Sequence, residues 1–440
     1  MQKSSIMLRS SIEKLHMPEN LAIGMMVAEQ HEKCRKINCD FDYYGFAFGQ
    51  SPFPVPPLLR RMLQENVDYG GYVHPGGIPE LRQAVAGFYQ RHFRLDAPAE
   101  RVIIGPGTKT LIYMIFNILE GDVIIPSPAW TSYAPQASLL GQSWHILPLS
   151  PENDYRLQPE ELDTFLRSLP RQQHLLILNN PNNPTGKLYT LQELDALVQV
   201  CRRHDTLILA DEIYALTTYS INQFTSIGSL YPEGTFVTGG LSKDRSAGGY
   251  RLGVCILPSS GGTALTQTFE KMAATLFTSI PTPIQRAAVS VYSANEEIET
   301  YFRITREIHR IMGRIISTSC NEISGLKATM PQGGFYFYLD FQELEDYFRK
   351  KGLKTSNQLG INLLDHPHHI ATVTGDAIML PPDTFGARIA FVDYDGEAAY
   401  KYYRKNPPKT EEDEMNFVRE TAPRMLKGVQ AIENFVWQYR

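Results

Sequence analysis

The sequence predicts an α/β protein: a large domain with a mainly parallel sheet covered by helices on both faces, joined to a smaller α/β domain. Three observations predict it. Short β-branched runs alternate with helical stretches between about residues 100 and 260, the pattern of strands buried on both faces. Polar and glycine-rich residues gather where those runs stop, outside the carboxyl ends of the strands, where the ligand crevice of an open α/β sheet lies. The chain changes character after about residue 290, and its 440 residues are long enough for two domains.

The elements follow in order. Val102 to Ile104 ends at Gly105 and leads into a helical run, Thr110 to Leu119. Val123 to Ile125 stops at Pro126-Ser127-Pro128, and Leu175 to Leu178 stops at Asn179-Asn180-Pro181, followed by a helix over Leu191 to Arg203. Leu207 to Ala210 ends at Asp211, and Thr235 to Thr238 ends at Gly239-Gly240. Beyond lie a long helix, Asn295 to Ser317, an aromatic strand within Gly333 to Leu339, and a strand over Arg388 to Val392. A polar stretch, Tyr394 to Glu412, reads as an exposed insertion, and Pro423 starts or breaks a helix within Asp413 to Trp437. The division expected is an N-terminal arm with part of the small domain (1–49), a large domain (50–290) and a small domain (291–440).

Composition narrows the function. The chain is 43% hydrophobic and 20% charged with a net charge of −5, which argues against a nucleic-acid surface as its main business. No run approaches the ~18–20 apolar residues of a membrane span, and the first residues lack the apolar core of a secretory signal. Ser, Lys and Arg there would suit a transit peptide, but Glu13 does not, so a cytoplasmic location is expected. Five cysteines at irregular spacing read as buried reduced thiols. His31, Cys34 and Cys39 lack a fourth ligand at zinc-like spacing, so no metal is expected.

Three strand ends supply Asn183, Asp211 and Lys243. Asp211 closes an apolar strand in ILADEIY, a costly place for a carboxylate without a partner. The cationic ring nitrogen of pyridoxal 5′-phosphate would offset that cost, and a protonated pyridinium is what makes this cofactor an electron sink. Tyr214 and Asn183 could reach the phenolic oxygen of the same ring. Lys243 follows a strand in GGLSKDRSAGGYRLG, flanked by glycine pairs that let backbone approach a ligand closely. A partly desolvated lysine among cations suits imine formation and proton transfer. Arg251 and the turn Gly107-Thr108-Lys109 at a helix N-terminus could hold a phosphate, with Lys109 or Arg245 adding positive field. Gly105-Pro106-Gly107 is not a dinucleotide fingerprint, because its third glycine is missing.

The segments NNPNNPTGK, ADEIY and LSKDRSAGGYRLG, with YVHPGGIPELRQAV and GQSPFPVP nearer the N-terminus, resemble the signature segments of class I/II (fold type I) aminotransferases of the aspartate-aminotransferase type. The similarity runs from about Gly49 to Arg388. It implies a pyridoxal-phosphate enzyme, a two-domain α/β fold and a homodimer with active sites shared at the subunit interface. It implies that Lys243 holds the cofactor as a Schiff base and moves the substrate proton, that Asp211 pairs with the pyridinium, and that Asn183 and Tyr214 bond the phenolic oxygen. Trp130 would stack on the ring. Gly107, Thr108, Ser242 and Arg251 would surround the phosphate, with Tyr72 reaching it from the neighbouring subunit. Arg388 would bind the substrate α-carboxylate, assisted by backbone near Gly49.

The chain departs from the pattern at Gly240, where many family members carry a hydroxyl, so one phosphate donor is missing or replaced. Asp244 resembles the aminocyclopropane-carboxylate synthases, which share the fold. The activity expected is amino transfer between an L-amino acid and a 2-oxo acid by a ping-pong cycle. The alternative is a lyase using the same lysine, and a cofactor-sensing regulator would need a DNA-binding module that the short stretch before Gly49 does not resemble. Acidic substrates would require a second cation, for which Arg60, Lys109 and Arg245 are candidates. The aromatic residues Tyr43, Tyr44, Phe46 and Phe48 point either to an apolar side-chain pocket or to packing at the domain junction.

Overall fold

Seven strands form the main sheet of the computed structural model, which describes Ile6, Ile12, Leu15, Met17 and residues 19–37 and 42–440. They are β1 (Val102–Gly105), β2 (Val123–Ser127), β3 (Trp144–Pro148), β4 (Leu175–Asn179), β5 (Leu207–Asp211), β6 (Thr235–Gly240) and β7 (Gly253–Ile256). Their spatial order is β1-β7-β6-β5-β4-β2-β3, and only β7 runs antiparallel to its neighbours. The mainly parallel sheet is therefore the one the sequence predicts, with two strands the reading missed. β3 is a half-exposed edge strand of mixed composition, and β7 is short and hidden inside the glycine-rich segment after Lys243. β2 also runs through Pro126, which is tolerated because β4 pairs only with Val123 and Ile124.

Alternate residues of these strands enter two separate cores. Ile103, Ile125, Ile177, Leu209, Phe236 and Cys255 pack on one face, whereas Val102, Ile124, Leu176, Ile208, Val237 and Val254 pack on the other. A strand buried on both sides has no polar face to display, which is why the runs read as continuous rather than alternating. Three thiols, Cys201, Cys255 and Cys320, are buried and free, and burial pushes the thiols of Cys201 and Cys320 up to about 12. Cys39 and the side chains of His31 and Cys34 lie outside the described residues.

A second, four-stranded sheet of order β10-β11-β9-β8 is built from β8 (Lys327–Ala328), β9 (Tyr336–Asp340), β10 (Val373–Thr374) and β11 (Gly386–Ala390). Seven helices matter to the argument: α1 (Glu19–Ile37), α2 (Thr108–Ile118), α3 (Leu191–Arg203), α4 (Glu296–Asn321), α5 (Gly396–Lys405), α6 (Glu411–Thr421) and α7 (Pro423–Tyr439). α3 starts with a capping box between Thr190 and Glu193, and Asn295 caps α4 by accepting from the N–H groups of Glu297 and Ile298. Pro423 opens α7, where its missing N–H has no intrahelical partner to lose. The stretch expected as an exposed insertion is corrected: residues 396–405 form α5, which packs on α4 and buries Ala399. A Cβ at Gly396 would come within 2.2 Å of the Pro52 carbonyl oxygen, so α5 also braces the segment just past Gly49.

Candidate active site

The carboxyl ends of β4, β5 and β6 stand level. Asn179 pairs with Asp211, and Asp211 with Thr238, so three polar residues emerge together where the apolar strands end. Asp211 is only 4% exposed. Tyr133 donates to its Oδ2 at 2.7 Å, while Asn179 Nδ2 donates to its backbone carbonyl at 2.8 Å. Burial pushes the Asp211 carboxyl above the usual range, and the Tyr133 hydroxyl, the Ile213 N–H and the Lys243 ammonium pull against that shift. Glu212 turns away from the cleft, accepting from Ser226 and from the N–H of Ile227, and burial takes it up to about 8.

Asp211 lies on the wall of a cleft of about 530 Å³ between the two sheets, shared with Thr108, Lys109, Trp130, Asn183, Tyr214, Ser242, Lys243, Arg251, Arg388 and Gly49. Of the residues singled out in the sequence, all these are brought together. Lys243 sits on the connection from β6 to β7 and donates to the Gly49 carbonyl at 2.5 Å. Its ammonium lies over the rings of Tyr214 and Phe335, at 5.6 and 5.4 Å, and no ion pair to a carboxylate engages it among the described residues.

Opposite the lysine, α2 begins at Thr108 with Gly107 as a cap whose φ is +83° and which offers no capping side chain. The N–H groups of that first turn are thus free for an anion. Glycine is required there: a Cβ at Gly107 would lie 2.3 Å from Arg251 Nη2, and one at Gly253 would lie 2.5 Å from the carbonyl carbon of Gly107. Arg251 lies across this turn, donating to Gly248 O at 2.8 Å. The departure at Gly240 has a steric cause, since a Cβ would meet the Leu252 carbonyl at 2.7 Å; Ser242 is the hydroxyl that lines the cleft instead. Lys109 stands over the Trp130 ring at 5.2 Å, its ammonium pushed down by burial and then by Arg251 and Lys243.

Arg388 comes from β11 and is 2% exposed. Its Nη2 donates to Ala47 O at 2.6 Å and its Nη1 to Asn183 Oδ1 at 3.3 Å, while Nε has no partner among the described residues. A buried guanidinium with an unused donor is prepared for an anion that forks onto it.

Some expectations fall elsewhere. Arg245 is 1% exposed, paired with Asp244 and enclosed by the rings of Phe88, Tyr292 and Phe302, so it adds no field to the cleft and is no second cation for a substrate. Arg60 is exposed on the helix Pro57–Glu65. Phe46 is core and abuts Gly428, and Tyr44 lies by Arg424; none of the four aromatic residues lines this cleft. Tyr72 is 89% exposed and absent from the cleft of its own chain.

Two tyrosines at the site escaped the sequence reading, one on the cleft wall and one buried behind it. Tyr133 orients Asp211, and Tyr336, on β9, lies under the Arg388 guanidinium at 4.6 Å. Neither belongs to a segment with local chemical signal, apart from the proximity of Tyr133 to Trp130.

Residues 41–391 match the family model for aminotransferase class I and II. An aspartate aminotransferase of Geobacillus stearothermophilus is 32% identical over 80% of this chain and 88% of its own length. An asparagine–oxo-acid transaminase of Streptococcus mutans is 26% identical over 77% and 85%. In fold, the chain resembles the aspartate aminotransferase of Thermus thermophilus, with a TM-score of 0.80, 22% identity and coverage of 98% and 99%.

Proposed function

The chain belongs to the class I and II aminotransferases and is an enzyme that moves amino groups between amino and 2-oxo acids, and from that premise we propose that it works with pyridoxal 5′-phosphate and prefers an acidic L-amino acid. The observation that carries the reading is a buried carboxylate, Asp211, facing the same cleft as a lysine that no carboxylate engages.

The residues fit that cofactor. The glycine cradle at Gly107 and Gly253, the open first turn of α2, and Arg251 suit its phosphate, with Thr108 and Ser242 alongside. Asp211 suits a cationic ring nitrogen, Tyr214 and Asn183 the phenolic oxygen, and Trp130 a ring face. When bound, the group supplies a carbonyl that condenses with amines and a cationic ring that accepts the electron pair released at the substrate Cα. Lys243 takes the proton from Cα. Arg388 binds the α-carboxylate through its unused Nε and the remaining N–H of an Nη group, and Asn183 holds the guanidinium in plane. Tyr133 keeps the Asp211 carboxylate aimed into the cleft by donating to Oδ2.

The acidic preference rests on Lys109, the one of the three candidate cations that lines the cleft, and on the names of the aspartate aminotransferases among the relatives. L-Aspartate alone should bleach the visible band of the reconstituted protein, and a 2-oxo acid should restore it. Steady release of ammonia or pyruvate without an acceptor would mean elimination instead, a reading the transaminase relatives do not favour. Lys109→Gln is expected to raise KM for aspartate about 10-fold or more, the worth of one charged hydrogen bond, and to leave KM for alanine within about twofold. Equal changes for both would reject Lys109 as the side-chain contact.

We further place the enzyme in the cytoplasm as a homodimer, with domain limits of 50–290 and 291–440 and an arm over 1–49. No helix among the described residues is long and apolar enough to cross a membrane. Support for the dimer comes from Tyr72, which is 89% exposed, with Val67 nearby in the sequence 64% exposed; docking a partner over this segment would bury the ring and carry Tyr72 to the partner's phosphate site. Mixing inactive Lys243→Ala subunits with Tyr72→Ala subunits is expected to restore about one quarter of wild-type activity, from one intact site in half of the dimers. No recovery after subunit exchange would refute sharing through Tyr72.

A further inference from the structure

We propose that Tyr336 is a positioning residue for transamination, its hydroxyl alternating between the Gly49 carbonyl and the Tyr214 hydroxyl so as to tie the position of Lys243 to the proton that Tyr214 can offer the cleft. The inference rests on the cofactor reading above.

The argument is a count of protons. Tyr214 and Tyr336 carry one hydroxyl proton each. In the structure Tyr214 donates to Tyr336 at 3.1 Å and Tyr336 donates to Gly49 O at 3.3 Å. The Tyr214 proton is therefore spent on its neighbour and is not directed at a ligand. Gly49 O also accepts from Lys243 at 2.5 Å, so the carbonyl holds one short and one long bond, and the long one is the weaker.

Tyr336 is 2% exposed, and the half-buried Gly49 O, on the cleft wall, is best held by a protein donor. While Lys243 supplies it, Tyr336 is dispensable there and can turn to donate to Tyr214, releasing the Tyr214 proton into the cleft. When Lys243 is engaged elsewhere, Tyr336 returns to Gly49 O. Burial and the neighbouring Tyr336 raise the Tyr214 phenol well above its usual range, so it remains a donor throughout.

The backbone is shaped to this contact. A Cβ at Gly49 would fall 1.7 Å from Tyr336 Oη, so any other residue would displace the hydroxyl. The ring has a separate task, lying under the Arg388 guanidinium. Tyr336 stands opposite Ala390 and its strand neighbour Tyr338 opposite Arg388, which makes Tyr336 and Arg388 diagonal neighbours on one sheet face.

Tyr336→Phe separates the tasks by keeping the ring and removing the hydroxyl. In protein reconstituted with pyridoxal 5′-phosphate, kcat is expected to fall about 10-fold, with KM for aspartate within about twofold. The pH midpoint of the visible absorbance should fall by about half a unit or more, because Tyr214 without its Tyr336 acceptor donates into the cleft and favours the deprotonated chromophore. In a Tyr214→Phe background the same change should move that midpoint no further. A midpoint that does not move, or one that moves equally in both backgrounds, overturns the inference while the wild-type colour stands. A wild-type protein without any visible band overturns the cofactor reading and the inference with it.

Discussion

Lys243→Ala is expected to give a folded protein with no measurable transamination and no visible band from added pyridoxal phosphate. The loss should reach about 10⁴-fold or more, because on the proposed reading one side chain supplies both the amine that binds the cofactor covalently and the base at Cα. The fold should tolerate the change. Lys243 lies on a connection and not in a strand, and its one hydrogen bond among the described residues is to Gly49 O, which keeps Tyr336 as a donor. Thermal melting of the cofactor-free variant within a few degrees of wild type, alongside absent turnover, is the result that matters. Residual turnover above about 1% would sink the assignment of Lys243.

Asp211→Asn should separate activity from stability in opposite directions. A neutral amide cannot balance a cationic ring nitrogen, and removing one member of a buried ion pair costs about 3–5 kcal/mol, or about 10²- to 10⁴-fold in kcat/KM. Without cofactor the sign reverses. The folded-state pKa of Asp211 is raised above the unfolded value, chiefly by burial, so the folded protein holds a proton that the unfolded chain has already released. Stability then falls as pH rises through that window and is not regained above it. Asparagine never ionises and keeps an acceptor for Tyr133, so the cofactor-free variant should melt no lower than wild type at pH 7. The gain in melting temperature on adding cofactor should shrink. Calorimetry with and without pyridoxal phosphate measures both, and a lower cofactor-free melting temperature would mean that Asp211 is compensated by groups other than a ligand.

The site was legible in the sequence wherever chemistry is local. Asp211 closes an apolar run and Lys243 follows a strand among glycine pairs, and a charge in either place needs a reason that sequence alone can state. Lys109 and Arg245 show the opposite case. Both are cations beside a glycine-rich turn, yet one opens onto the cleft, whereas Asp244 and three rings enclose the other. Nothing near Arg245 in the chain announces Phe88 or Phe302. Tyr336 was visible as part of an aromatic strand, but its hydroxyl acquires meaning only from Gly49, far away in the chain. In the fold, the parallel core strands stood out because both faces are apolar. α5 did not, since its inward face is marked by little more than Ala399, Tyr400 and Tyr403 in a charged segment.

Because β7 lies antiparallel beside β6, Lys243 and Arg251 sit on one short connection whose two ends are fixed on adjacent strands. The groups proposed for the cofactor, from Gly107 to Arg251, all belong to the seven-stranded sheet and its loops, whereas Arg388 reaches in from the other sheet. Movement of the smaller sheet would therefore admit and release substrate without loosening the grip on the cofactor. On the proposed reading, residence of the cofactor and residence of the substrate would be independent clocks, and the enzyme would turn over many times at free cofactor concentrations too low to reload it.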